Sequence, residues 1–131
     1  MSIERNKDVV RRLLDAHFKD DRGRVGEILS PRLMWHMAGE SRVMSRQDYL
    51  DGLEMGSRAF ADKSQTIQHM LAEGDNVAVL ATVRMRHVGD FIGIRATGRQ
   101  VEFGSFWMYR VIDGKVVEIW GFDEDFTGKL Q

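Results

Sequence analysis

The reactive side chains of this chain are suited to moving protons. It has no cysteine, which excludes thiolate nucleophiles and disulfides. Its four histidines, His17, His36, His69 and His87, are scattered. None sits in a His-x-x-x-His or Glu-x-x-His pair, so no metal site is expected. Each can still titrate near neutral pH and act as acid, base or hydrogen-bond donor. His36 follows Trp35, and alternation there sets Met34, His36 and Ala38 on one face and Leu33, Trp35 and Met37 on the other. Either face could be the inner one. Asp123 and Asp125 lie just beyond a long apolar strand pattern. A carboxylate in an apolar pocket has its pKa raised toward neutrality and can then accept or donate a proton at working pH. The glycines of Gly89–Gly98 are not followed by a helix, which argues against a phosphate loop.

The elements that must position these groups change type half-way along the chain. Residues 3–20 read as an amphipathic helix, with Val10, Leu13, Leu14 and His17 on its packing side. A short helix follows at Val25–Leu29 and is stopped by Ser30-Pro31. Leu33–Ala38 is a short strand candidate. Ser45 and Asp48 resemble a capping box for a third helix at about residues 46–60, with Tyr49, Leu53, Gly56 and Phe60 on one face. From residue 64 the period becomes two, giving strands at 64–72, 76–88, 100–112 and 115–123. Asp113-Gly114 is a strong hairpin signal between the last two. Helices followed by a long antiparallel run mean an α+β fold with helices on one face of the sheet.

Both faces of the last two strands are apolar. One carries Val101, Phe103, Ser105, Trp107, Tyr109 and Val111. The other carries Phe106 and Met108, joined by Trp120 and Phe122. An antiparallel sheet with one solvated face should show polar residues there. Helices can cover only one of the two, so a homodimer through the second face is expected.

The 131 residues suffice for a single domain, 1–131. Lysine and arginine number 19 against 20 acids, a net charge of −1. That balance argues against a nucleic-acid or membrane-surface protein. There is neither a membrane span nor an apolar signal core at the start, so a soluble cytoplasmic protein is expected.

The stretch Arg86-His87-Val88-Gly89-Asp90-Phe91-Ile92-Gly93-Ile94-Arg95-Ala96-Thr97-Gly98-Arg99, followed by Ile112-Asp113-Gly114-Lys115-Val116-Val117-Glu118-Ile119-Trp120, resembles the SnoaL-like polyketide cyclases and ester cyclases of the nuclear transport factor 2-like superfamily. The likeness is strong over the last third of the chain and rests on element order elsewhere. It implies a cone-shaped α+β barrel, in which N-terminal helices pack on a curved, mostly antiparallel sheet around a small hydrophobic substrate. It also implies homodimers formed sheet to sheet. The chemistry it implies belongs to secondary metabolism and is of isomerase or lyase type, done by carboxylates or histidines without metal, flavin or nicotinamide.

The resemblance also marks a departure. Anchored on Asp113-Gly114-Lys115, the family's catalytic histidine falls on Trp107 and its catalytic aspartate on Gly121. Asp123 lies on the face of residue 121, one strand repeat further on, roughly 6.6 Å, with Ser105 and Trp107 across the hairpin. It is the first candidate for the missing carboxylate, with Asp125 as the alternative. Trp35-His36 resembles a Trp-His pair whose histidine often faces the cavity in relatives, which makes His36 the second catalytic candidate. Tyr49, Phe60, Trp35, Trp107 and Tyr109 would make the cavity aromatic. His87 would hold the shared loop over its mouth. Epoxide opening by an Asp-Arg-Asp set drawing on Arg84 or Arg86, cofactor-independent oxygenation, and a ligand-binding or dimerisation module without chemistry are the other readings.

Overall fold

The computed structural model describes residues 2–131. Helix α1, Ile3–Phe18, starts at Ser2, whose hydroxyl accepts from the Arg5 amide at 3.1 Å. Such a cap satisfies one of the unpaired amides of the first turn. Val9, Val10, Leu13 and Leu14 follow helical spacing and are buried. Asp20, in the left-handed region at φ 55°, turns the chain into α2, Arg22–Ile28. Strand β1, Leu29–Met37, follows with no intervening residue. It begins earlier than expected because Pro31 does not end it. β1 is an edge strand, and its pairing skips between Leu29 and Met34. A missing amide proton is tolerated at such a place.

Helix α3, Arg46–Ala59, carries the expected capping box. The Ser45 hydroxyl accepts from the Asp48 amide while the Asp48 carboxylate takes the Ser45 amide. Arg42 adds two bonds to Asp48 at 2.9 and 3.1 Å. Strand β2, Phe60–Glu73, starts directly after α3 and four residues before its period-two pattern becomes legible. The cause is local. Asp62 has a φ of 54°, and the register shifts between Ala61 and Ser64 and again between Ile67 and His69. Such bulges interrupt alternation and bend a sheet. Strands β3 (Asn76–His87), β4 (Gln100–Ile112) and β5 (Lys115–Asp123) match expectation closely. Asp113 and Gly114, at φ 49° and 77°, make the β4–β5 turn.

The sheet order is β1-β5-β4-β3-β2. All neighbours are antiparallel except β1 and β5, which run parallel. The helices pack on one face. There Val77, Val79, Tyr109, Val111, Val116 and Ile119 from the sheet meet Val10, Leu13, Leu14 and Leu53 from the helices. A second cluster gathers Phe60, Val83, Met85, Val101 and Phe103 around Leu130, from the short 3-10 helix Thr127–Leu130. Between the two clusters the inner face is not filled.

Among the described residues no helix covers the outer sheet face, where Leu80, Phe106 and Phe122 stand 38, 44 and 51% exposed. Register confirms that they form one row: Leu80 opposes Phe106, and Phe106 opposes Phe122. Among the described residues no helix is long and apolar enough to cross a membrane.

Candidate active site

The unfilled region is a cavity of about 440 Å³ between α1, α3 and the inner sheet face. That size is in the range of small-molecule sites. Strand alternation brings Ser105, Trp107 and Tyr109 of β4 to its wall. Pairing of β4 with β5 sets Asp123 directly opposite Ser105. The Trp107 indole nitrogen donates to Asp123 Oδ1 at 2.9 Å. Burial pushes the Asp123 carboxyl above the usual range, and the indole bond pulls it part of the way back. Asp123 lines the cavity yet is itself exposed, so protein crowds the carboxylate while both solvent and a ligand can reach it.

Tyr49 of α3 and His17 of α1 also line the cavity. The Tyr49 hydroxyl lies 2.7 Å from His17 Nδ1. Trp35 of β1 packs against Tyr49 and Trp107, with ring centroids 5.3 and 6.2 Å away. At the far end Phe60, Phe91, Phe103 and Phe126 form an aromatic group. Phe126 stacks on Phe103 at 4.4 Å and on Phe91 at 5.8 Å, and meets Phe60 edge-on at 5.9 Å. Lys63, paired with Asp20, completes the wall near His17.

His17 is pushed down to about 4, first by burial and then by the neighbouring Lys63 ammonium, with Asp20 opposing. The folded protein thus keeps it neutral where an unfolded chain would take up a proton near 6.5. The stability this contributes is complete above pH 6.5 and is lost as pH falls toward 4. Its depth is about 3 kcal/mol. Asp123, raised rather than lowered, contributes in the opposite sense over acidic pH. An NMR titration of the His17 ring is expected to show a neutral imidazole at pH 5; a midpoint near 6.5 would refute the burial argument.

Of the residues singled out from sequence, the fold places Asp123, Ser105, Trp107, Tyr109, Tyr49, Trp35 and Phe60 around the cavity. It does not place His36 there. On β1, Leu33, Trp35 and Met37 turn inward, so His36 faces the outer side. There its Nε2 bonds Glu118 Oε2 at 2.7 Å and its ring stacks on Trp120 at 5.6 Å. His87 is fully buried but outside the cavity wall. Its Nδ1 accepts from the Thr97 amide at 3.2 Å, and its backbone amide bonds Arg99, so it fastens the base of the 88–99 loop. Asp125, the alternative carboxylate, also lines the cavity, but it bonds the amide and hydroxyl of Thr127, which hold its carboxyl below the usual range. Arg84 and Arg86 pair with Glu102 and Asp62 instead of entering the cavity. The lining includes no arginine, so the Asp-Arg-Asp set of the epoxide-opening reading is not assembled. Among the described residues no three metal-ligating side chains come together.

His17, Lys63 and the Phe91–Phe126 end were missing from the expected set. His17 had a signal, since it falls on the packing side of α1. Lys63 had none, because it sits inside the bulge.

A sequence model of the SnoaL-like polyketide cyclases matches residues 7–131. The chain belongs to that family. Solved structures agree. AclR of Streptomyces galilaeus, a proposed hydroxylase, is 29% identical with a TM-score of 0.86, over 94% of this chain and 77% of that one. IdmH of Streptomyces antibioticus, a proposed polyketide cyclase, is 28% identical with a TM-score of 0.81, over 93 and 94%. An LEH-like epoxide hydrolase of M. tuberculosis shares the fold at 18% identity and a TM-score of 0.74, over 95 and 86%. A search of the curated proteins found no match.

The two positions on which the resemblance sets the family's catalytic pair are neighbours in this SnoaL-like chain. Trp107 and Gly121 are register partners. A Cβ on Gly121 would stand 2.8 Å from the Trp107 ring and 2.2 Å from the Phe106 carbonyl oxygen. The indole therefore occupies the space a side chain at 121 would need.

Proposed function

We propose that this protein is an acid–base enzyme of cyclase or isomerase type that acts on an apolar, polycyclic or polyketide-like small molecule, with Asp123 as the proton acceptor. The observation that carries the reading is the Trp107–Asp123 bond on the wall of an aromatic cavity. On the family resemblance, Asp123 would supply the carboxylate from one strand repeat beyond the family position, with the Trp107 indole in place of the imidazole. Trp107 engages one carboxylate oxygen and leaves the other for a substrate C–H beside a carbonyl. Removal of that proton needs only groups the chain itself supplies. The unfilled cavity favours this over a module without chemistry.

The test needs no knowledge of the natural substrate. The protein should accelerate exchange of the α-protons of 2-tetralone, or of a tricyclic homologue, in D₂O. No acceleration with either ketone would favour the binding-module reading. The proposed hydroxylase activity of AclR keeps oxygenation as a second reading; deprotonation by Asp123 would be its first step too, and oxygen uptake during turnover would distinguish it.

We further propose that two copies pair through the outer sheet face. The exposed row Leu80, Phe106 and Phe122, extended by Met108 and Trp120, is apolar and uncovered in the protomer. A second copy is the occupant the family resemblance supports. Phe106→Glu would place a charge in a dry interface and should convert the dimer to monomer in light scattering. A wild-type protein that is monomeric at micromolar concentration would sink the proposal.

A further inference from the structure

Two cavity hydroxyls have no role in the chemistry described so far. The chain has two tyrosines, Tyr49 and Tyr109, and both line the cavity. They are 9 and 4% exposed. A buried hydroxyl ordinarily finds a hydrogen-bond partner. Among the described residues the Tyr109 hydroxyl has none in the protein, yet it is not one of the sealed unpartnered polar atoms such as Trp35 Nε1. It therefore opens onto the cavity. The Tyr49 hydroxyl is held from behind by His17 Nδ1 at 2.7 Å.

We propose that the Tyr49 and Tyr109 hydroxyls are a donor pair for one oxygen of the bound molecule, with His17 as the positioning residue that aims Tyr49. The inference rests on reading the cavity as the ligand site. In it the neutral His17 ring donates from Nδ1 to the Tyr49 oxygen, which leaves the phenolic proton for the ligand. Burial raises both phenols above their ordinary range, and Asp123 adds to the rise at each. The two hydroxyls thus keep their protons, and they share the electrostatic surroundings of the carboxylate. The step this arrangement serves is balanced without any redox partner. A C–H bond next to a carbonyl breaks, its proton goes to the Asp123 carboxylate, and the electron pair passes to the carbonyl oxygen as an enolate. Donors already aimed at the atom where charge develops are the usual means of stabilising such a state. The ligand class is a ring system bearing a carbonyl or phenolic oxygen, since the remaining wall is mostly aromatic and aliphatic.

The presence of two tyrosines makes the test direct. Protein labelled with ¹³C at tyrosine Cζ should give two resonances, both from the cavity, with Tyr49→Phe assigning them. Titration of the unsubstituted protein with 2-naphthol should move both; naphthalene, which has the same shape without the hydroxyl, should move them less than half as far. 2-Naphthol should bind about fivefold more tightly than naphthalene for each net hydrogen bond gained. His17→Leu should remove the naphthol response of Tyr49 and leave that of Tyr109, while His17→Gln, whose amide can still donate, should restore it. If naphthalene moves both resonances as far as naphthol does, the donor pair is wrong and the cavity reading stands. If only Tyr109 responds in the unsubstituted protein, the pair is overturned. If neither ligand moves either resonance, the pair and the ligand-site reading fall together. Ketone exchange that is absent while the naphthol response is present would remove the enzyme reading alone.

Discussion

Asp123→Asn should lower proton exchange into a bound ketone by at least about 10²-fold, the usual scale for losing a positioned general base. The substitution is nearly isosteric, and the asparagine oxygen can still accept from the Trp107 indole, which lies 2.9 Å from the carboxylate. The fold and the binding of an apolar ligand should therefore survive. The loss should appear in kcat with little change in KM, because the group acts on the moving proton and not on the ring system. The acidic limb of the pH–rate profile should vanish with it, since burial places the Asp123 carboxyl above the ordinary range and its protonation would set that limb. Full exchange by the variant would move the base elsewhere. His17 would then be the first alternative, because it is the histidine on the cavity wall.

Gly121→Ala is expected to destabilise the protein by roughly 3–5 kcal/mol, the range for severe overpacking combined with backbone strain. Gly121 has a φ of 153°, and a Cβ there would lie 2.2 Å from the Phe106 carbonyl and 2.8 Å from Trp107 Cα. Neither contact is the end of a flexible side chain, so the backbone itself must move. Gly121→Asp, which adds a larger side chain at the same place, should be worse. Gly104→Ala is the matched comparison, because a Cβ there meets nothing within 4 Å. In thermal melts the Gly121 variant should fall by more than about 10 °C, and the Gly104 variant should melt close to wild type. A Gly121→Ala protein as stable as the Gly104 variant would show that β5 relaxes freely and that the glycine is incidental.

The legible parts of this fold are the ones whose pattern is local. The β4 and β5 alternation identified the inner wall of Ser105, Trp107 and Tyr109, and the Asp113-Gly114 turn set the register that brings Asp123 opposite Ser105. The Ser45–Asp48 box announced α3. What was hidden depends on partners distant in the chain. Alternation divided Leu33–Ala38 into two faces but could not say which was inner, since that depends on parallel pairing with β5, more than 80 residues away. His36 was misplaced for that reason. The first residues of β2 escaped because two bulges break their period, and Lys63 escaped with them. The His17–Tyr49 contact joins two helices 32 residues apart; each helix was legible, but their relative rotation was not.

The packing at Gly121 also limits how the site can be re-equipped by exchange of side chains alone. Residue 107 can exchange its indole for an imidazole, because Asp123 remains beside it as a hydrogen-bond partner. Residue 121 cannot acquire an aspartate by that exchange, because the Phe106 carbonyl oxygen and Trp107 Cα, both backbone, would stand 2.2 and 2.8 Å from its Cβ. A side chain at 121 therefore requires the paired strands themselves to move apart, whichever ring stands at 107.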